Sequence, residues 1–298
     1  SDKLLRITDS SRILDHLNLE QLFLVPLERD KRSYRYHEFF RRFLLNQLGP
    51  QRKNLLFQAG LMARQAGELE QAAGYFSLAE AKEDTISVIR DIAERALRVG
   101  RWQTAAKWLG YISAGDLASH PWLSLYRAHV EVSRGKLADA ETWIVRANTM
   151  FDGADERLGL SEGQVLMARI LRSRGRCHES MALLDQAYSN LTEEEISERF
   201  HIPLERALNL FMIGELRQAE ALLISAFRRA QEENDGLTLS YIAENLGNLN
   251  YIQGDCQEAL RIFKLGIEAS PESKLPGHWL EESRCWIYLG WGRLDLAL

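Results

Sequence analysis

Apolar residues recur at three- and four-residue intervals through most of residues 54–298, the spacing that lines up one side of an α-helix. A short word interrupts these runs at near-regular places: Gly, a polar residue, an apolar residue, two further residues, then Ala or Ser. It reads GELEQA from Gly67, GRWQTA from Gly100, GKLADA from Gly135 and GRCHES from Gly175. It returns as GELRQA from Gly214, GDCQEA from Gly254 and GRLDLA from Gly292. The intervals between these glycines are 33, 35, 40, 39, 40 and 38 residues.

The neighbours of the word keep the same register. Seven residues before each glycine stands a small residue: Gly60, Ala93, Ala128, Ala168, Ala207, Gly247 and Cys285. Nine after the first six stand Phe76, Leu109, Ile144, Leu184, Leu223 and Phe263. Twelve after, small residues return at Ala79, Ala147, Ala187, Ala226 and Gly266, with Ile112 the exception. A glycine after a helical run can take the left-handed conformation that ends the helix. The small residue near the middle of that helix lets a partner helix approach, and the Ala five after the glycine does the same from the other side. Each unit is therefore expected to be a pair of antiparallel helices. One pair cannot bury its apolar face alone, so the pairs stack.

Residues 1–53 lack the word. SSRILDHLNLEQL (10–22) reads as a helix after a Ser cap, with Ile13, Leu14 and Leu17 on its apolar side. FLVPL and SYRYH are short β-rich runs around the charged turn ERDKR, the pattern of a two-stranded wing. EFFRRFLLNQL then predicts an amphipathic helix, with Phe39, Phe40, Phe43 and Leu44 opposite Arg41 and Arg42. Further on, EEE at 193–195 reads as a solvated helix start after Thr192.

Composition narrows the function. The net charge of -5 argues against a protein that coats nucleic acid, although residues 1–53 carry 11 Lys and Arg against 7 Asp and Glu. No apolar run approaches the roughly 20 residues that a membrane span needs. The start, SDKLLRITDS, has no apolar core followed by a cleavage site. Cys177, Cys256 and Cys285 are odd in number and lack CxxC spacing, so a reducing cytoplasm is the expected home. Cys177 and Cys256 share one repeat position, two after the glycine, and are read as packing residues. The histidines form no catalytic or metal-binding pattern, and HEFFR is not H-E-x-x-H. No enzymatic site and no metal site is expected. The first residue is Ser and the last residues lie in mid-pattern, so the chain is expected to be a piece of a longer protein.

Residues 245–271, NLGNLNYIQGDCQEALRIFKLGIEASP, resemble the tetratricopeptide repeat (TPR). Leu246, Gly247, Gly254, Ala259, Phe263 and Pro271 fall at the signature positions of that family; Asn250 stands for its usual Tyr and Gly266 for its usual Ala. The other repeats look like longer, degenerate versions. The resemblance implies an all-α fold: a right-handed superhelix of about seven TPR-like helix-turn-helix repeats over 54–298, the last truncated. Before it, residues 1–53 would be the C-terminal part of a winged-helix domain with a short β-hairpin.

Helix, wing, helix and then repeats resemble the large bacterial signal-transducing ATPases of the MalT type, LuxR-family transcription activators. The phrase LFLVPLERDKRSYRYHEFFRRFL is similar to the end of their winged-helix segment. The resemblance implies a sensor of a small-molecule inducer or of a regulatory protein, working with nucleotide-binding and DNA-binding domains of the same protein. It implies ATP as the cofactor of the whole protein, with none in this chain, and self-association on activation. His37 would correspond to the histidine that senses the nucleotide phosphates in related ATPases; its plainer reading is a half-buried residue satisfied by backbone. No G-x-x-x-x-G-K-[ST] occurs in the chain. Contact with membrane or nucleic acid by this chain itself is not expected.

In the TPR register, a groove is lined by positions 13, 10, 6, 3 and 2 before each turn glycine. These positions give the ligand-binding candidates Arg90, Glu94, Trp122, His129, Arg169, Arg172, Tyr241, Glu244, Asn248, Tyr251, Trp279 and Trp286. The same positions also hold Arg98, Leu125, Glu162, His201, Phe211 and Glu282. Rings that give contact area and charges that fix orientation suit a small polar ligand, and suit a peptide about as well. Several of the aromatics are equally readable as packing between repeats. A scaffold that binds only proteins is the alternative.

Overall fold

The computed structural model describes residues 8–9, 12–13, 16–17, 20, 24–26, 34–47, 49, 51–192, 195, 201–232, 236–269 and 274–297. Its chain divides into two compact units: Ser1–Ala96 with Lys107–Ile112, and Leu97–Ala106 with Ser113–Leu298. Among the described residues no helix is long and apolar enough to cross a membrane.

The first unit opens on the wing. Strand β1 (Leu24–Pro26) pairs antiparallel with β2 (Tyr34–Tyr36), with Val25 opposite Arg35. The charged turn between them lies outside the described residues. Helix α1 (Glu38–Gln47) follows, and Phe40 meets Tyr36 edge-on at 5.7 Å. Phe39 and Phe43 are exposed at 77% and 55%, although the pattern places them on an apolar side; the side chains of Arg41 and Leu44 lie outside the described residues. Helices α2 (Gln51–Gln65) and α3 (Leu69–Leu78) form the first pair, with Phe57 and Phe76 packed ring to ring at 5.4 Å. Helix α4 (Lys82–Arg98) and α5 (Trp102–Leu109) straddle the division of the units.

The second unit continues with short α6 (Ala114–Ser119), capped by the Ser113 hydroxyl, which accepts from the Asp116 amide at 3.1 Å. Then come α7 (Pro121–Ser133) with α8 (Leu137–Gly153), and α9 (Arg157–Ser173) with α10 (Cys177–Ser189). They are followed by α11 (His201–Met212) with α12 (Leu216–Glu232), and α13 (Gly236–Ile252) with α14 (Cys256–Ala269). Helices α15 (Lys274–Gly290) and α16 (Leu294–Ala297) end it. The architecture is all-α with TPR-like pairs. Before α11, Thr192 and Glu195 form a reciprocal capping box: the Thr192 amide donates to the Glu195 carboxylate at 2.9 Å, and the Glu195 amide donates to the Thr192 hydroxyl at 3.2 Å.

The turn word acts through its glycine. All seven adopt left-handed backbone, with φ between 69° at Gly100 and 90° at Gly254. At six turns the amide after the glycine donates to the carbonyl four residues before it, as Glu68 does to Ala63, Arg176 to Leu171 and Asp255 to Asn250, each at 2.9 Å. This bond satisfies a carbonyl that the helix end leaves free.

The small residue seven earlier makes the close approach. Ala93, Ala128, Ala168 and Ala207 are all 0% exposed, and so are Phe76, Leu109, Ile144, Leu184 and Phe263 nine after their glycines. At Gly60 and Gly247 the missing side chain leaves room for the rings of Phe76 and Phe263, which a Cβ would strike. Where Ser180 replaces the Ala five after the turn, its hydroxyl donates 2.7 Å to the Ala168 carbonyl, the small residue of the same pair. A second clamp repeats: the serine fourteen before the turn donates to the carbonyl twelve after it, from Ser161 to Ala187 at 3.1 Å and from Ser240 to Gly266 at 2.5 Å.

Neighbouring repeats are tied by recurrent charge pairs. Arg three before one turn meets an acid nine before the next: Arg64 with Asp91 at 2.7 Å, and Arg172 with Glu205 at 3.0 Å. The residue just before a turn also reaches the acid six after the previous one, as Arg174 holds Glu141 at 3.0 Å and Gln253 holds Glu220 at 3.4 Å.

Two kinds of glycine should respond differently to substitution. Gly175→Ala places a Cβ in open space at φ 76° and is expected to cost about 1 kcal/mol, from conformation alone. Gly247→Ala must displace the Phe263 ring and is expected to cost about 2–3 kcal/mol. Urea unfolding of the two variants checks the order.

Candidate functional site

The site is built by the first helices of successive pairs in the second unit: α9, α11, α13 and α15. Its centre is Glu205 on α11. This carboxylate is buried, yet it is held by two guanidinium groups from α9. Arg169 Nε donates to Oε1 at 2.6 Å, and an Arg172 terminal nitrogen donates to Oε2 at 3.0 Å. Burial alone pushes the Glu205 carboxyl up, but the two arginines outweigh it and hold the carboxyl below its usual range. Glu205 in turn raises Arg169. Two polar atoms at this centre are buried without a partner: Arg172 Nε and Asn209 Oδ1. The amide of Asn209 donates to the Glu205 backbone carbonyl at 2.8 Å.

One helix further along, Tyr241 joins the cluster to a pocket. Burial raises its hydroxyl, Glu205 and Glu244 add to the rise, and Arg169 and Arg172 oppose it. The hydroxyl therefore stays protonated at neutral pH and can donate a hydrogen bond. The pocket holds about 350 Å³ and is lined by Tyr241, Glu244 and Asn245 of α13 and by Glu282 and Ser283 of α15. Burial raises the Glu244 carboxyl. Two carboxylates and two side-chain hydroxyls in so small a space offer more acceptors than donors. Such a lining fits a ligand rich in O–H or N–H groups.

The structure brings together some of the residues singled out from the sequence and gives others different company. Arg169, Arg172, Tyr241 and Glu244 form one continuous electrostatic group, with Glu162 also raising Arg169. Asn248 is half-buried, while Tyr251 and Trp286 are exposed at 43% and 61%. The side chains of Trp279 and His201 lie outside the described residues. Trp122 packs edge-on against Phe151 at 5.1 Å and its indole N–H donates to Glu156 at 2.7 Å, so it closes the junction of α7, α8 and α9. His129 is half-buried on α7. Arg90, exposed, and Glu94, half-buried, stand on α4. His37 is exposed, not half-buried, because it sits at the open junction of β2 and α1 with its ring stacked on exposed Phe39 at 5.7 Å.

Glu205, Asn245 and Ser283 were not singled out from the sequence. The last two adjoin Glu244 and Glu282, and a helix face is wider than one residue per turn. Glu205 falls nine before its turn glycine, between Leu204 and Arg206, and the Arg64 and Asp91 offsets in an earlier pair of repeats were the signal available. Among the described residues no group of three or more His, Cys, Asp and Glu could hold a metal ion.

Residues 1–56 match the family model of the MalT winged helix domain. Over 97% of its length the chain is 24% identical to the HTH-type transcriptional regulator MalT of Vibrio cholerae serotype O1, and spans 33% of that protein. The chain thus covers about a third of the length of the curated relatives it matches. Its structure is similar, at a TM-score of 0.72 and 13% identity, to a signal transduction ATPase with numerous domains and a tetratricopeptide repeat sensor from Pyrococcus horikoshii; the match covers 99% of this chain and 45% of that one. It is also similar to NprR solved in complex with its cognate peptide NprX, with a TM-score of 0.60, 13% identity, and coverage of 97% of this chain and 86% of that one. The fold is thus that of TPR-containing proteins, and the chain resembles MalT-type regulators along its length.

Removing one arginine from Glu205 unbalances a buried carboxylate, so neither Arg169→Ala nor Arg172→Ala leaves the fold untouched. Arg172→Met is expected to destabilise by about 3 kcal/mol, and adding Glu205→Gln to recover much of that loss. The pH dependence follows in sign: a carboxyl held below its usual range contributes stability above its unfolded pKa, about 4.3, and loses it as pH falls through the folded value. Urea unfolding between pH 3 and 7 should show this acid loss in the parent chain and a smaller one in Glu205→Gln.

Proposed function

We propose that this chain is the effector-sensing helical-repeat domain, preceded by the end of a winged-helix domain, of a bacterial ATP-dependent transcription activator of the LuxR type. The observation that carries this reading is the order of parts: a MalT-type winged-helix match at residues 1–56, then TPR-like repeats, with MalT relatives aligned over 97% of the chain. The effector is a small polar molecule seated in the pocket of Tyr241, Glu244, Asn245, Glu282 and Ser283. Such a ligand touches α13 and α15, which belong to adjacent repeats, so it favours whichever spacing of those repeats suits it best. A tenfold preference for one form, about 1.4 kcal/mol, shifts the balance between a resting and a released state by the same factor.

ATP does not fit the residues of this chain. The sequence has no phosphate-binding loop, and His37, the one candidate, precedes a helix whose first turn carries the acidic Glu38. A nucleotide would be held by another domain of the longer protein, and the same holds for DNA. In this reading the repeat domain acts by holding or releasing those partners, and self-association follows release. The cytoplasm is its place of work.

A second reading is favoured by the likeness to NprR, which was solved with its cognate peptide. A peptide or a regulatory protein would then occupy the same helix faces, and no small inducer would exist. A thermal-shift screen against sugars, amino acids, aromatic acids and peptides separates the two. A ligand at a hundred times its Kd adds about 2.7 kcal/mol to the folded state and raises the melting temperature. A small-molecule hit that is weakened in both Tyr241→Phe and Glu244→Gln is the expected result. A blank with small molecules and a shift with a peptide would transfer the site to the second reading.

A further inference from the structure

A second cavity of about 350 Å³ opens among α12, α13 and α14. None of the groove residues lines it. Its apolar side is formed by Ile224, Phe227, Leu246, Ile262 and Leu265, and polar side chains complete the lining. Phe227, Leu246 and Ile262 belong to the core cluster of this part of the chain, so the cavity is floored by core packing and opens to solvent past Arg228, Gln231 and Arg261. Its size lies near the lower end of small-molecule pockets, which run from about 300 to 1,000 Å³.

The cause of the hollow is Asn250, four residues before the Gly254 turn. The TPR pattern, which this pair matches at Leu246, Gly247, Gly254, Ala259 and Phe263, has Tyr there, and Tyr288 stands at the same position in the last repeat of this chain. Asn250 is shorter, and its amide turns back to donate 2.8 Å to the Leu246 carbonyl on its own helix. The space a ring would take is left open, and the Asn250 side-chain oxygen remains as an acceptor beside it.

The charges at the rim decide what enters. Glu258 and Arg261 bind each other in two parallel hydrogen bonds of 2.7 and 2.6 Å. Glu220 accepts from Gln253 at 3.4 Å. Arg228 is exposed and, among the described residues, pairs with nothing. The lining therefore presents an apolar floor, the Asn250 oxygen, the Gln231 amide, and at the rim the Glu220 carboxylate and a guanidinium, Arg228, that no described carboxylate holds.

We infer that this cavity binds a small monocarboxylic acid with an apolar body. The body lies against Phe227, Leu246 and Ile262 in the place of the absent tyrosine ring, and the carboxylate pairs with Arg228. The cavity joins the second helix of one repeat to both helices of the next, so its occupant fixes the spacing of those repeats. It is a second input to the repeat stack and does not rest on the reading of the Tyr241–Glu244 pocket.

The probe is 4-phenylbutyrate, titrated calorimetrically into the 298-residue chain, with 4-phenylbutanol as its uncharged counterpart. Saturable one-site binding of the acid is expected, with the alcohol and the Arg228→Gln variant each about tenfold weaker. Asn250→Tyr should abolish binding while leaving the melting temperature unchanged or higher, since the ring fills a hollow. Absence of saturable binding to the parent chain would overturn the inference. So would an affinity that neither variant alters. Should Asn250→Tyr fail to fold, the exposed Arg228→Gln decides alone.

Discussion

Two helices of a pair can touch closely only where one of them carries almost no side chain. Seven residues before the first six turns that condition is met by Gly60, Ala93, Ala128, Ala168, Ala207 and Gly247, and the four alanines are completely buried. The rest of each pair follows from that contact. The ring or branched residue nine after the turn packs where the small residue makes room. The left-handed glycine brings the chain round so that the two meet, and serine hydroxyls at buried positions answer to carbonyls across the same gap. A larger residue at the contact would spread the pair and open every one of these bonds together.

The ties between repeats are of another kind. They run through carboxylates, and one of these is removed from water by packing. Glu205 is the extreme case, since its ionised form depends on both Arg169 and Arg172. A buried ion pair contributes little net stability against an apolar core of the same shape, and its loss is costly in one direction only. Here it fixes the relative placement of α9 and α11 and sets the potential at Tyr241. The same residues thus position a helix and tune a hydroxyl at the pocket beside it.

Much of the fold was legible because it depends on residues that have few substitutes. A left-handed turn wants glycine, a close contact wants glycine or alanine, and both recur in phase over 245 residues of this chain. The site was less legible. Tyr241, Glu244 and Glu282 were placed by register and line one pocket, but Arg169 and Arg172 looked like free groove charges because their partner lies 36 and 33 residues away. A repeat of 39 residues does not announce which face its ninth position before the turn will occupy. Trp122 showed the converse: its position in the register suggested a ligand contact, and packing against Phe151 claimed it. Asn250 was visible as a departure from the repeat pattern, but the hollow it leaves depends on Phe227 in the preceding pair, which the spacing of one repeat cannot reveal.

The bridges from Arg172 to Glu205, from Arg174 to Glu141 and from Gln253 to Glu220 each join one repeat to its immediate neighbour. Mechanically, the second unit is then a row of stiff blocks coupled by springs in series. Compliances in such a row add, so the softest joint absorbs most of any imposed bend. A joint braced by a two-armed polar grip, as at Glu205, resists sliding through directed bonds; one whose polar tie is a single long amide contact, as at Gln253, depends on the apolar packing of Phe227 and Leu246 instead. How far a disturbance at one block travels is therefore set by the weakest coupling on its way.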